Sequence, residues 1–276
     1  MQPMVVLLVG AGAGVAAWYV QHRKEQARAE HGEPRWEAYL TEERGQPSAV
    51  LVDLHWHRSG GDAHLVQASW VLIDMDHPGR HGVGTAEEAD RISVAEQRLL
   101  DDLAQEGTIF VGRTRAGGTW RLLFMSPAGA NPAVTVSDVL GEAGIHSFRC
   151  LSTHDPKWNA YHRCLAPDAE RLRWIEDART FNDLAARGEP VGIERAIAHT
   201  VHFDDATASD RFRQLAGLYG FSIAGVEQSN STITVELVRT DVVDLERVHS
   251  VVMELTHLAL TCDGQYGGWH CVAAAA

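Results

Sequence analysis

Residues 221–239, FSIAGVEQSNSTITVELVR, decide the fold. Two runs rich in strand formers, Phe221–Glu227 and Ser231–Arg239, flank the turn residues Gln228-Ser229-Asn230, which spells a β-hairpin. Working outward, Ala206–Tyr219 carries Phe212, Leu215 and Leu218 at helical spacing, and Gly220 stops it. On the other side, Asp244–Cys262 repeats Leu245, Val248, Val252, Leu255 and Leu258 at three and four residues, until Asp263-Gly264 breaks the pattern. Glu194–Phe203 and Tyr266–Val272 read as the first and last strands of the block. The order β-α-β-β-α-β is the split βαβ pattern and predicts a ferredoxin-like unit over residues 193–276. Both crossovers should be right-handed, with one sheet face under both helices and the other open.

Upstream, residues 36–166 read as a second α+β unit. Ser48–His57 and Leu65–Ile73 are expected strands. Ala86–Gly107 places Ile92, Ala95, Leu99, Leu100 and Leu103 on one helical stripe. Thr108–Arg113 and Thr119–Met125 flank Ala116-Gly117-Gly118, a hairpin signature. Thr135–Gly144, with Ser137 as a cap, is a short helix, and His146–Leu151 a further strand. A helix over Pro167–Gly188 and a linker to residue 192 connect the units, and Gly188-Glu189-Pro190 is the expected junction. The fold class is therefore α+β, two small domains behind an amino-terminal hydrophobic helix.

That helix is expected in residues 1–24. Pro3–Val20 is uncharged for eighteen residues, about 27 Å as a helix, enough for a hydrocarbon core. Arg23, Lys24 and Arg28 follow it and would stay in the cytoplasm. The leading expectation is a single-pass anchor in the inner membrane, with a polar linker over 25–35 and the rest facing the cytoplasm. Two other readings stay open. One is a cleaved signal peptide, which lacks its basic leading region. The other is a dinucleotide turn at Gly12-Ala13-Gly14, which lacks a following second strand.

Charge limits the partners. Lys and Arg number 24 against 37 Asp and Glu, a formal net charge of −13. From residue 193 onward eleven acidic residues face five basic ones, a net of −6. An acidic surface disfavours direct nucleic-acid binding and favours a protein partner with basic segments. The four cysteines, at 150, 164, 262 and 271, lack metal spacing and read as buried free thiols.

The second block is similar to the ribonuclease E inhibitors called regulator of ribonuclease activity B. The similarity runs over about 193–273. It rests on the element order, on Gly220-Phe221 opening the second strand, and on Tyr266-Gly267-Gly268-Trp269 after the last helix. This chain lacks that family's long acidic tail. The resemblance implies a non-enzymatic protein that binds a ribonuclease and lowers its cleavage of RNA. The first block resembles a bacterial family of unknown function, through Trp36, Val111-Gly112-Arg113 and Asp155-Pro156-Lys157-Trp158 with Tyr161.

Five residues are nominated for partner binding: Tyr266, Trp269, Asp155, Trp158 and Tyr161. Each has a structural alternative as core aromatic or turn starter. No catalytic motif is readable, and no cofactor or metal ligand set is assigned. The rival class is a metal-dependent hydrolase. It would use His55 and His57, one side of an expected strand, with His64, Asp74, Asp76, His77 and His81.

Overall fold

The computed structural model of the chain describes residues 33–272. The expected anchor lies outside the described residues. Among those described, no helix is long and apolar enough to cross a membrane. The chain divides into two compact units between Pro167 and Asp168.

The first unit is built on a six-stranded antiparallel sheet in the order β1-β2-β4-β5-β3-β6. The strands are β1 (Trp36–Glu43), β2 (Gln46–Asp53), β3 (Gln67–Asp74), β4 (Ile109–Ala116), β5 (Thr119–Ser126) and β6 (Phe148–His154). Helices α1 (His55–Ser59), α2 (Ala86–Gln105), α3 (Ala133–Glu142) and α4 (Asn159–Cys164) complete it. The stripe Ile92, Leu99, Leu100 and Leu103 of α2 closes over Val71, Ile73, Phe110, Leu122 and Phe124 of the sheet, as its helical spacing requires. Helix α3 begins at Ala133, behind Pro132, and Ser137 lies inside it instead of capping it.

Two expectations for this unit are corrected. Strand β1 was not foreseen. The other correction is that His55-Trp56-His57 is not strand. The strand stops at Asp53, whose carboxylate accepts from the backbone N–H groups of Arg35 at 2.7 Å and His55 at 3.0 Å. That bond to His55 favours a turn, and α1 follows. Residues two apart on a helix do not share a face, so the two imidazoles diverge.

The second unit contains α5 (Ala169–Ala186), β7 (Glu194–Phe203), α6 (Ala206–Leu218), β8 (Ser222–Ser229), β9 (Thr232–Val242), α7 (Leu245–Thr261) and β10 (Gln265–Cys271). Its antiparallel sheet runs β10-β7-β9-β8. Asp168, Asp205 and Asp244 cap α5, α6 and α7, each accepting a backbone N–H three residues on. The core gathers Ile197, Val201 and Phe203 of β7 with Phe212 of α6 and Val248, Val252 and Leu255 of α7.

Helix α5 belongs here and is not a connector. Leu184 is buried in this core, and Asp177 is buried against α7 and β10. The junction thus falls ahead of α5, upstream of the expected Gly188-Glu189-Pro190. The thiols also differ from expectation: Cys262 is buried, Cys150 and Cys271 are half-buried, and Cys164 is exposed.

Candidate functional site

In the second unit the Tyr-Gly-Gly-Trp segment is a β-bulge. Tyr266 pairs with Val201 and Gly268 with the next residue back, Thr200, so Gly267 is extra. Side chains alternate along a strand, and residues three apart would ordinarily face opposite sides. The extra residue resets the phase, and both Tyr266 and Trp269 enter the core under the helices. Gly267 leaves room for a neighbour: a Cβ there would lie 2.5 Å from the His202 imidazole, which would have to move aside.

The two aromatics anchor a buried polar network. The Trp269 indole N–H donates to Asp177 Oδ1 at 3.0 Å, and His249 Nδ1 meets Asp177 Oδ2 at 2.8 Å. Burial pushes the Asp177 carboxyl above its usual range, although His249 and Trp269 both favour the charged form. The Tyr266 hydroxyl meets His199 Nδ1 at 2.8 Å. Burial, with the nearby Arg239 charge, lowers His199 to about 4, so it is neutral at pH 7. The Arg173 guanidinium lies over the Tyr266 ring at 5.1 Å. Tyr266 and Trp269 are thus framework: they tie α5, α7 and β10 together.

The nominated residues of the first unit form a second framework cluster. Asp155 accepts from the backbone N–H groups of Asn159 at 2.9 Å and Ala160 at 2.7 Å, so it starts α4. Burial opposes its charge, but these bonds outweigh burial and hold the carboxyl below its usual range. Trp158 takes a left-handed backbone, φ 55°, and its indole N–H donates to the Asp62 carbonyl at 3.2 Å. Gly61 faces that indole so closely that a Cβ there would lie 2.6 Å from the ring. Tyr161 is fully buried and donates to the Asp53 carbonyl at 2.8 Å. All five nominated residues are therefore at least nine-tenths buried.

The hydrolase residues do not converge. Asp74 takes Ser147 and Arg149, whereas Asp76 pairs with Arg91 at 3.1 Å. His77 turns to Glu88, itself held by Arg91. Among the described residues no three or more His, Cys, Asp or Glu side chains are placed to hold a metal ion.

Sequence reasoning missed a buried charged group in the first unit. Strand β4 carries its own bulge between Phe110 and Gly112, which places Phe110 and Arg113 on the same, α2-facing side. Arg113 pairs there with Glu96 of α2, which also accepts the Trp120 indole N–H at 2.7 Å. The usable signal was Gly112 breaking the strand, together with Glu96 on the apolar stripe of α2. In the second unit a polar concavity of about 530 Å³ opens beside Arg239, Asp241, Arg247 and Glu254. Arg239 is committed to Asp241 at 2.6 Å and to the Tyr219 carbonyl at 3.1 Å.

Residues 174–271 match the family described as Regulator of ribonuclease activity B. The second unit resembles that family. Its Tyr266–Trp269 bulge and all of α6, α7 and the sheet lie inside the matched span, as does most of α5. Residues 34–166 match a family of unknown function, DUF695, which covers the first unit. Both resemblances read from the sequence are thereby borne out. No match is found among curated proteins. Solved structures give low-similarity matches. One is described as a glycine cleavage system transcriptional repressor, at 10% identity and a TM-score of 0.24, covering 75% of this chain and 98% of that one. Another is an unknown protein from Galdieria sulphuraria, at 11% identity and a TM-score of 0.21, covering 75% and 99%.

Proposed function

We propose that the protein is a non-enzymatic regulator that binds a ribonuclease through its second unit and lowers RNA cleavage by protein contact. The match of residues 174–271 to the regulator of ribonuclease activity B family carries this reading. The acidic balance of that unit supports a basic protein segment as the partner in preference to RNA. The strand order β10-β7-β9-β8 with one helix in each crossover supports a ferredoxin-like assignment. In this reading Tyr266 and Trp269 shape the unit from inside, and exposed side chains around them make the contact. The uncharged run Pro3–Val20 is proposed to hold the protein at the cytoplasmic face of the inner membrane.

The test is direct. The full chain, immobilised, is offered purified ribonuclease E, and cleavage of a labelled RNA is followed with increasing protein. Retention of the nuclease and dose-dependent loss of cleavage are expected. Loss of cleavage that follows RNA capture, without nuclease retention, would overturn the mechanism. Fractionation tests the anchor: full-length protein should sediment with membranes, and a chain starting at Glu25 should not.

A further inference from the structure

The α2-facing side of β4 carries a charge imbalance. Arg113 and Arg115 are two residues apart on that strand, past the bulge, so both side chains take the same side. Their guanidinium carbons lie 4.8 Å and 4.9 Å from the centre of the Trp120 ring. That indole is fully buried and fixed through its N–H to Glu96. The second Glu96 oxygen accepts from Arg113. One carboxylate therefore faces two guanidiniums and one indole, and its bonds go to Arg113 and the indole.

Arg115 is the remainder. Among the described residues it makes no hydrogen bond or ion pair. The charges that act on it are Arg113, which repels, and Glu96, which attracts. Burial, then the Arg113 charge, brings its guanidinium down to about 10, so it stays charged at pH 7. It is largely covered but not fully buried, and solvent reaches its remaining exposed edge. An arginine laid over a ring keeps its N–H donors at the rim of the guanidinium plane, where a two-oxygen acceptor fits.

The geometry points to a small-oxyanion site at Arg115, held over Trp120 beside Arg113, that takes a carboxylate or a phosphate. The bound anion supplies the counter-charge that two guanidiniums and one carboxylate lack. A small anion suits the place better than a polyanion, because the chain carries a net charge of −13 and repels an extended phosphate backbone.

Thermal melts of the full chain test this in sodium phosphate, sodium acetate and sodium chloride at one ionic strength. Phosphate, acetate or both should raise the melting temperature saturably above the chloride value, because a ligand that binds only the folded state stabilises it. The larger response identifies the anion. Arg115→Gln should reduce the rise to the chloride level. Arg115→Lys keeps the charge without the fork and should retain less than half of it. The site is refuted if neither anion exceeds chloride, or if the rise survives undiminished in Arg115→Gln. Should Arg115→Gln not fold, a full rise in Arg115→Lys refutes it.

Discussion

Trp269 donates its indole N–H to Asp177, a residue 92 positions earlier, at 3.0 Å. This bond crosses the second unit from its first helix to its last strand. It makes the Tyr266–Trp269 segment a structural fastening between α5 and the sheet.

Removing the indole should unfasten both. Trp269→Ala deletes a buried aromatic and should cost about 3–5 kcal/mol. Trp269→Phe keeps most of the packing but leaves Asp177 short of one donor, at about 1–3 kcal/mol. Chemical denaturation of both variants checks the order.

His199 gives the second unit a pH dependence. Its folded value of about 4 lies below the usual 6.5. The unfolded chain therefore binds more protons between those values. Stability should be full above pH 6.5 and fall as pH drops toward 4, at up to ~1.4 kcal/mol per pH unit. Asp177, whose carboxyl is raised, acts in the opposite sense and offsets part of the slope. Denaturant midpoints from pH 7 to 4 should decline, and His199→Gln should flatten that decline.

In the first unit, Glu96→Gln leaves Arg113 charged and buried without a counterion. Breaking a buried pair from one side costs about 3–5 kcal/mol. The double variant Glu96→Leu with Arg113→Met should recover a large part of that loss. Equilibrium unfolding of the single and double variants measures the difference.

Fragment behaviour separates two possible junctions. Residues 168–276 contain α5 with Leu184 and Asp177 and should melt cooperatively. Residues 190–276 lack them, expose the facing apolar surface and leave Trp269 and His249 without Asp177. That fragment should melt at a distinctly lower temperature, or without a sharp transition, by circular dichroism.

The hairpin 221–239 and helices α6 and α7 were legible because their periodicity and punctuation agree over long runs. Helix α2 was legible for the same reason, down to Gly107 at its end. Strand β1 was not, because Glu37, Glu42 and Glu43 mask the alternation of a strand at the sheet edge. The helical turn at His55 was hidden as well, because β-forming residues run on past the Asp53 carboxylate that ends the strand. Helix α5 was readable as a helix, but its allegiance rests on Asp177, whose partners lie 72 and 92 residues away. Tyr266 and Trp269 were found by motif, yet their inward direction depends on a bulge, which shifts phase without changing composition.

The fastening at Asp177 also orders events in time. During synthesis α5 is made before any strand of its own sheet, and β10 is made last. Until residue 269 has been added, Asp177 lacks its indole donor, His199 lacks the Tyr266 hydroxyl, and β7 has an open edge. A premature stop just before residue 265 would strip the closing strand, the phenol and the indole together. Translation must pass residue 269 before this unit can close.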